Sequence, residues 1–232
     1  MKIIVISDTH NQHNLIPTHY LDNADGSVDM IIHAGDVSSR GTEDEIKAFL
    51  NWFSKLPFTN KIFIPGNHDW FFEKASKHVI DYTMSKYPDV VLLNDSGIEI
   101  EGIKIWGSAI TPYFHNWAFN RIGEAINEHW DKIPLDTNIL ITHGPIFGYL
   151  DMTLEGDRTG CEYLRAKLPE FTDLKIHTCG HIHEAYGYHE FMDGQLFLNA
   201  SVLNRRYEMQ NKPITMEYGN ISSLELGYIT KK

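Results

Sequence analysis

Ile3-Ile4-Val5-Ile6-Ser7-Asp8-Thr9-His10 decides the fold class of this 232-residue chain. Four apolar, mostly β-branched residues in succession have the length and composition of a buried strand. The run then stops at a short polar cluster, Asp8-Thr9-His10. The same pattern recurs four times. Val28 to Ile32 leads to His33-Ala34-Gly35-Asp36, and Ile62-Phe63-Ile64 leads to Pro65-Gly66-Asn67-His68-Asp69. Ile139-Leu140-Ile141 leads to Thr142-His143-Gly144-Pro145, and Leu174 to Cys179 leads to Gly180-His181-Ile182-His183. Taken singly, Gly-Asp or Asp-x-His is an ordinary turn. Five such clusters, each at the carboxyl edge of its own strand, lie where α/β proteins bind ligands. Residues two apart on an extended chain share a face, so His181 and His183 can point to one place.

The segments between these strands are consistent with this reading. Thr42 and Glu45 have capping-box spacing, and Ile46, Phe49, Leu50 and Phe53 form one helical stripe that Pro57 closes. Helices are predicted around 72–86 and 121–131, with a weaker one over 160–168. Val90 to Leu93 reads as a strand. Ile98, Ile100, Ile103 and Ile105 flank a Glu101-Gly102 hairpin turn. Short strands are expected at 185–189, 195–199, 214–218 and 223–229. Helices alternate with strands early and strands dominate late, which predicts an α/β protein with more than one sheet. No repeat or linker interrupts the chain, so residues 1–232 are read as one domain.

With 20 basic against 31 acidic side chains the net charge is −11, and no Lys/Arg stripe is present. A sequence-independent grip on long nucleic acid is therefore disfavoured. Two cysteines, Cys161 and Cys179, do not make a disulfide framework. The apolar stretch at the start is too short for a signal peptide, and no run reaches membrane-spanning length. The expectation is a cytosolic, reduced protein with no membrane association. Thirteen histidines are the one oddity of composition, and six of them, His10, His33, His68, His143, His181 and His183, fall in the strand-end stretches.

The series DTH, GD, GNHD, THGP and GHIH resembles the calcineurin-like metallophosphoesterase superfamily over residues 8 to 183. More narrowly, Trp117-Ala118-Phe119-Asn120, Ile141-Thr142-His143-Gly144-Pro145, Gly160-Cys161-Glu162 and Asn199-Ala200-Ser201 resemble the branch of MPPED-type phosphodiesterases. The resemblance implies a four-layer sandwich: two mixed sheets packed together and flanked by helices. It implies one metal ion on Asp8, His10, Asp36 and His183, and a second on Asp36, Asn67, His143 and His181, with Asp36 as bridge. It also makes His68 the acid, or charge stabiliser, on the leaving oxygen, with Asp69 orienting its imidazole. Arg40 lies at the spacing from Asp36 at which related phosphoprotein phosphatases contact phosphate; its other reading is a solvated charge before a helix cap.

Donor chemistry is consistent with that implication. Oxygen and imidazole ligands without thiolate suit Mn, Fe, Zn, Co or Ni, with Mn or Fe favoured, and four imidazoles argue against Ca²⁺ and Mg²⁺. Two divalent ions would bring about +4 against two carboxylates, a cationic pocket in an acidic protein. Two ions about 3.5–4 Å apart can clamp a phosphoryl group and share a bridging hydroxide for in-line attack. The expected substrate is a small phosphodiester such as a cyclic nucleotide. The alternatives are a phosphomonoesterase or phosphoprotein phosphatase, and a non-catalytic scaffold. His33 and His177 are read as core or supporting residues rather than ligands. Trp117, Phe119 and Tyr207 are read as core, or alternatively as a wall that stacks a base.

Overall fold

The computed structural model describes residues 1–23, 26–190 and 194–225. The strands predicted from apolar runs form two six-stranded sheets. In the first, β1 (Lys2–Ile6), β2 (Met30–Ala34), β3 (Asn60–Ile64) and β4 (Val90–Leu92) run parallel in that order. The second contains the β5 (Ser96–Ile100) and β6 (Ile103–Ser108) hairpin, which pairs through β6 with β9 (Ile139–Thr142). A two-residue pair, β7 (Thr111–Pro112) with β8 (Asn120–Arg121), lies between them in sequence. Beside β9 run β10 (Ile176–Cys179), β12 (Leu196–Asn199) and the antiparallel edge β11 (Gly187–Glu190). β13 (Ile214–Glu217) and β14 (Asn220–Glu225) return antiparallel to the β1 edge of the first sheet. The two-sheet α/β architecture expected from the sequence is the one observed.

Alternation along the strands explains the packing. Ile3, Val5, Met30, Ile32, Ile62 and Ile64 face the second sheet, where they share a buried cluster with Ile139, Ile141, Ile176 and Leu198. Ile4, Ile6, Ile31 and Phe63 face the other way, into a cluster with α1 (Glu43–Phe53) through Ile46, Phe49, Leu50 and Phe53. Strands buried on both faces read as continuous apolar runs, which is why they stood out in the sequence. Each such side chain contributes about 2 kcal/mol by leaving water. On the outer face of the second sheet, Leu140 and Phe197 share their cluster with Trp130, Leu164 and Phe171.

Helix boundaries were the less legible part. The Thr42–Glu45 capping box forms as the spacing implies. The helix expected over 72–86 is two, α2 (Trp70–Lys74) and α3 (Lys77–Met84), because Ala75 is extended and the Ser76 side chain caps a fresh start by accepting from Val79 N–H. The helix expected over 121–131 shrinks to a 3-10 turn at Gly123–Ile126 followed by α4 (Asn127–Trp130), since Arg121 belongs to β8 and Gly123 has φ +57°. Helix α5 (Glu162–Lys167) starts on Cys161, whose sulfur accepts from Leu164 N–H. Of the strand expected over 223–229, residues 226–229 lie outside the described residues. Among the described residues no helix is long and apolar enough to cross a membrane.

Candidate metal centre

The parallel strands bring their carboxyl ends to one junction between the sheets. Asp8 N–H donates to the Gly35 carbonyl at the edge of the first sheet and Gly180 N–H to that of His143 at the edge of the second, while His143 Nδ1 donates to the Ala34 carbonyl and ties the two sheets together. The loops there are sharply bent: Asp8, His10, Asp36 and His181 all have positive φ, between 41° and 68°. Such backbone is costly for residues other than glycine and persists where surrounding contacts over-determine it. Glycine is required beside them for a second reason. A Cβ on Gly66 would overlap the Asp36 carboxylate, and one on Gly180 would overlap Asp8 Oδ2 and Ser7 Oγ.

Among the described residues three groups of candidate ligand atoms result, each within 4.8 Å: Asp8–His10–His183, His10–Asp36–His68 and Asp8–Asp36–His143. Asp36 Oδ2 lies 3.5 Å from His10 Nε2 and 3.2 Å from His143 Nε2, so one carboxylate oxygen faces both halves of the cluster. On one side Asp8 Oδ1 is 3.4 Å from His183 Nε2, itself 3.4 Å from His10 Nε2. On the other, Asn67 Oδ1 is 2.9 Å from His143 Nε2. The His181 ring stands 5.1 Å from that of His143, but its nitrogens join none of the three tight groups. His68, read from sequence as standing outside the ligand shell, lies close enough to His10 and Asp36 to form one of them.

This donor set fits metal ions. Asp8 and Asp36 are buried, and no Lys or Arg among the described residues pairs with either. Burial opposes ionisation of Asp36, yet the charge and hydrogen bond of His143 take its carboxyl well below the usual range. Burial likewise opposes ionisation of Asp8, and His183 drives that carboxyl down. Against burial, Asp36 lifts the His143 imidazole to about 9 and Asp8 lifts His183 to about 8, whereas burial lowers His10 and His181 to about 4. Protons on two imidazoles thus balance two buried carboxylates, and metal cations would supply the same positive charge. His143 Nδ1 and His183 Nδ1 each donate to a backbone carbonyl, of Ala34 and Asn204, which aims Nε2 at the cluster; a metal ion taking the place of the Nε2 proton would meet its lone pair there.

Asp69, expected to orient His68, is placed under the loops by its hydrogen bonds. Its carboxylate accepts from Gly66 N–H (2.7 Å), Val37 N–H (3.1 Å), Ser38 N–H (2.9 Å) and Ser38 Oγ (2.5 Å). Buried at 0% exposure, it laces the Asp36 and Asn67 loops together and makes no bond to His68. The acceptor that orients His68 is the Ser39 carbonyl, 2.8 Å from Nδ1, while His68 N–H donates to Asp36 Oδ1. Arg40 is exposed on the same loop, its N–H held by Glu45 Oε2.

Sequence reading gave several supporting residues no role. Ser201 Oγ lies 2.7 Å from Asp8 Oδ2 and 2.8 Å from Asn199 Oδ1, and Asn199 Nδ2 donates to the Gly180 and Ile182 carbonyls, shaping the loop of the two histidines. The Asn199-Ala200-Ser201 triplet was a visible signal, but only the fold shows what it touches. His33 and His177 are core residues as expected, each against a threonine beside a candidate ligand, Thr9 and Thr142. Phe119 is buried core, whereas Trp117 and Tyr207 flank the cluster: Trp117 stacks on His68 at 4.2 Å, and Tyr207 stands edge-on to His10 at 4.8 Å.

Comparison with known proteins shows the family to which the chain belongs. The family model described as calcineurin-like phosphoesterase matches residues 1–185. Metallophosphoesterase domain-containing protein 1 of Homo sapiens is 33% identical over 238 residues, which covers 93% of this chain and 70% of that protein. A solved structure described as a novel archaeal phosphodiesterase superposes with TM-score 0.54 at 16% identity, covering 99% of each chain. A dimetal phosphatase from Danio rerio superposes with TM-score 0.56 at 9% identity, covering 93% of this chain and 91% of its own. At those identities the two structures share the fold alone. On the family model and the human relative, the chain belongs to the calcineurin-like phosphoesterase family.

Proposed function

We propose that the protein is a binuclear metal-dependent phosphodiesterase acting on small diesters such as cyclic nucleotides. The observation that carries the reading is the Asp36 carboxylate, which faces His10 on one side and His143 on the other. Asp8, His10, Asp36 and His183 would hold one ion; Asp36, Asn67, His143 and His181 the other, with Mn or Fe suited to the donors. When bound, the ions would supply charge to the phosphoryl oxygens and acidify the attacking water. The chain's own part is to hold a proton in place. Because a carbonyl only accepts, His68 Nδ1–H is the donor to Ser39, and Nε2 is the nitrogen that, in the imidazolium form, would carry the proton passed to the departing oxygen. Asp69 acts on this step only through the loops it ties.

Removing that proton source should cost about 10²–10⁴-fold in turnover. We expect His68→Ala to lose at least a hundredfold in kcat while elemental analysis shows the metal retained. Loss of metal in step with activity would instead make His68 a ligand, as its place near Asp36 and His10 allows. The alternative, a phosphomonoesterase, is favoured by Arg40, an exposed guanidinium on the loop whose carbonyl at Ser39 orients His68. A panel of 2′,3′- and 3′,5′-cyclic nucleotides, a bis-aryl phosphate and a monoester, assayed with Mn²⁺, separates the two; preference for the monoester, lost in Arg40→Ala, would overturn the diesterase reading.

A further inference from the structure

The loop from β7 to β8 is strained, firmly anchored and unused by the reading above. Within it His115, Asn116 and Phe119 have φ of +50°, +56° and +59°, three non-glycine residues in left-handed backbone within five positions. Such strain is retained only where other contacts impose it, and here they can be named. Thr111 N–H donates to the Phe119 carbonyl, Tyr113 N–H to that of Arg121, and Asn120 Nδ2 to that of Phe114. Phe119 N–H also donates to Glu73, which takes Arg121 Nη1 on its other oxygen at 3.1 Å. Arg121 Nε in turn meets His129, and His129 meets Asp95. The loop is thereby bolted to helix α2 on one side and to the second sheet's helical cover on the other.

The anchors place two groups against the candidate centre. Ala118 N–H donates to the Asn67 carbonyl at 3.1 Å, and the half-buried Trp117 indole lies on the His68 imidazole, centroids 4.2 Å apart and planes 27° apart. His10 meets the same imidazole edge-on at 4.6 Å. The hydrogen bond to Ser39 fixes one ring nitrogen but leaves the ring free to swing about that axis. A flat indole on one face and an imidazole edge against it remove that freedom. Aiming a proton at a leaving oxygen depends on this angle, and a misplacement of about 1 Å can cost on the order of a hundredfold.

We propose that Trp117 is a positioning residue that sets the plane of the His68 imidazole, and that the strained loop exists to deliver it. The inference rests on His68 acting as the leaving-group acid. It requires Trp117 to act on kcat through His68, without binding metal or substrate itself.

The test is a double-mutant cycle on the manganese-loaded full chain with aryl and alkyl phosphodiesters of graded leaving-group acidity. Trp117→Ala should lower kcat about tenfold on alkoxide leaving groups and far less on nitrophenolate, with KM and metal content unchanged. Trp117→Phe, which keeps a flat ring and should fold if alanine does not, should restore most of the loss. In a His68→Ala background the Trp117 substitution should add nothing, because its only route to the reaction is gone. A loss that is equal for all leaving groups, falls in KM, tracks metal content, or multiplies with that of His68→Ala would overturn the proposal. If His68→Ala is itself as active as the wild type on every ester, the acid role fails and the positioning role with it; a large effect of His68→Ala beside an inert Trp117→Ala overturns the positioning role alone.

Discussion

At the residue scale the candidate centre is governed by what its neighbours leave room for. Gly180 has no side chain because one would overlap Asp8 Oδ2 and Ser7 Oγ, and Asp8 also accepts the His181 N–H there. Gly180→Ala must push Asp8 out of place, and overpacking of this kind costs about 1–3 kcal/mol. We expect a lower melting temperature together with metal content below that of the parent chain; a fully metallated, equally stable variant would show that the Asp8 loop yields freely. This requirement is local and partly legible: Gly next to His-x-His announces close backbone approach. The Asp69 role was not legible, because its partners Val37 and Ser38 are 32 and 31 residues away in sequence.

At the scale of elements, β2 and β10 each carry a buried histidine on the side away from the other sheet. Thr142 Oγ donates to the Gly144 carbonyl, so His177 Nε2–H must be the donor in its 2.8 Å contact with that hydroxyl. Burial pushes the His177 pKa down to about 3, which keeps the imidazole neutral near pH 7. The unfolded chain, with an ordinary pKa of about 6.5, takes a proton first as the pH falls. The stability this strand contributes is intact above about pH 6.5 and drains away toward pH 3, at about 1.4 kcal/mol per pH unit for each such group. Replacing His177 by Gln, which keeps an N–H for Thr142, should flatten the slope of unfolding free energy between pH 6 and 4 by about that amount. Denaturant titrations at several pH values check it; an unchanged slope would mean that His177 is protonated in the folded protein. The element-scale errors were in helices 72–86 and 121–131, where apolar spacing continues across Ser76 and Gly123 but capping and left-handed backbone interrupt the chain.

For the whole molecule the centre is a joint between two sheets. Candidate ligands come from the ends of β1, β2 and β3 on one side and of β9 and β10 on the other, so an ion bound there binds the folded chain and has no preformed site in the unfolded one. Free metal at a hundredfold over its dissociation constant adds about 2.7 kcal/mol to stability. For a chain of this size that corresponds to roughly 5–10 °C in Tm. Chelation should lower Tm by about that much and abolish hydrolysis, and Mn²⁺ should restore both. A chelated protein that melts at the same temperature and still hydrolyses esters would contradict a metal centre across the joint.

The amino-acid sequence by itself determined the strands, their carboxyl-edge clusters and hence the candidate ligands, because each of these is a property of a few consecutive residues and their period. Tertiary structure alone decided how those ligands are aimed. The carbonyls of Ser39 and Asn204, the hydroxyl of Ser201 and the face of Trp117 reach their targets across the fold, Ser201 meeting Asp8 from 193 residues away. No local pattern records such a contact. It exists only once two sheets have packed and their edges have met.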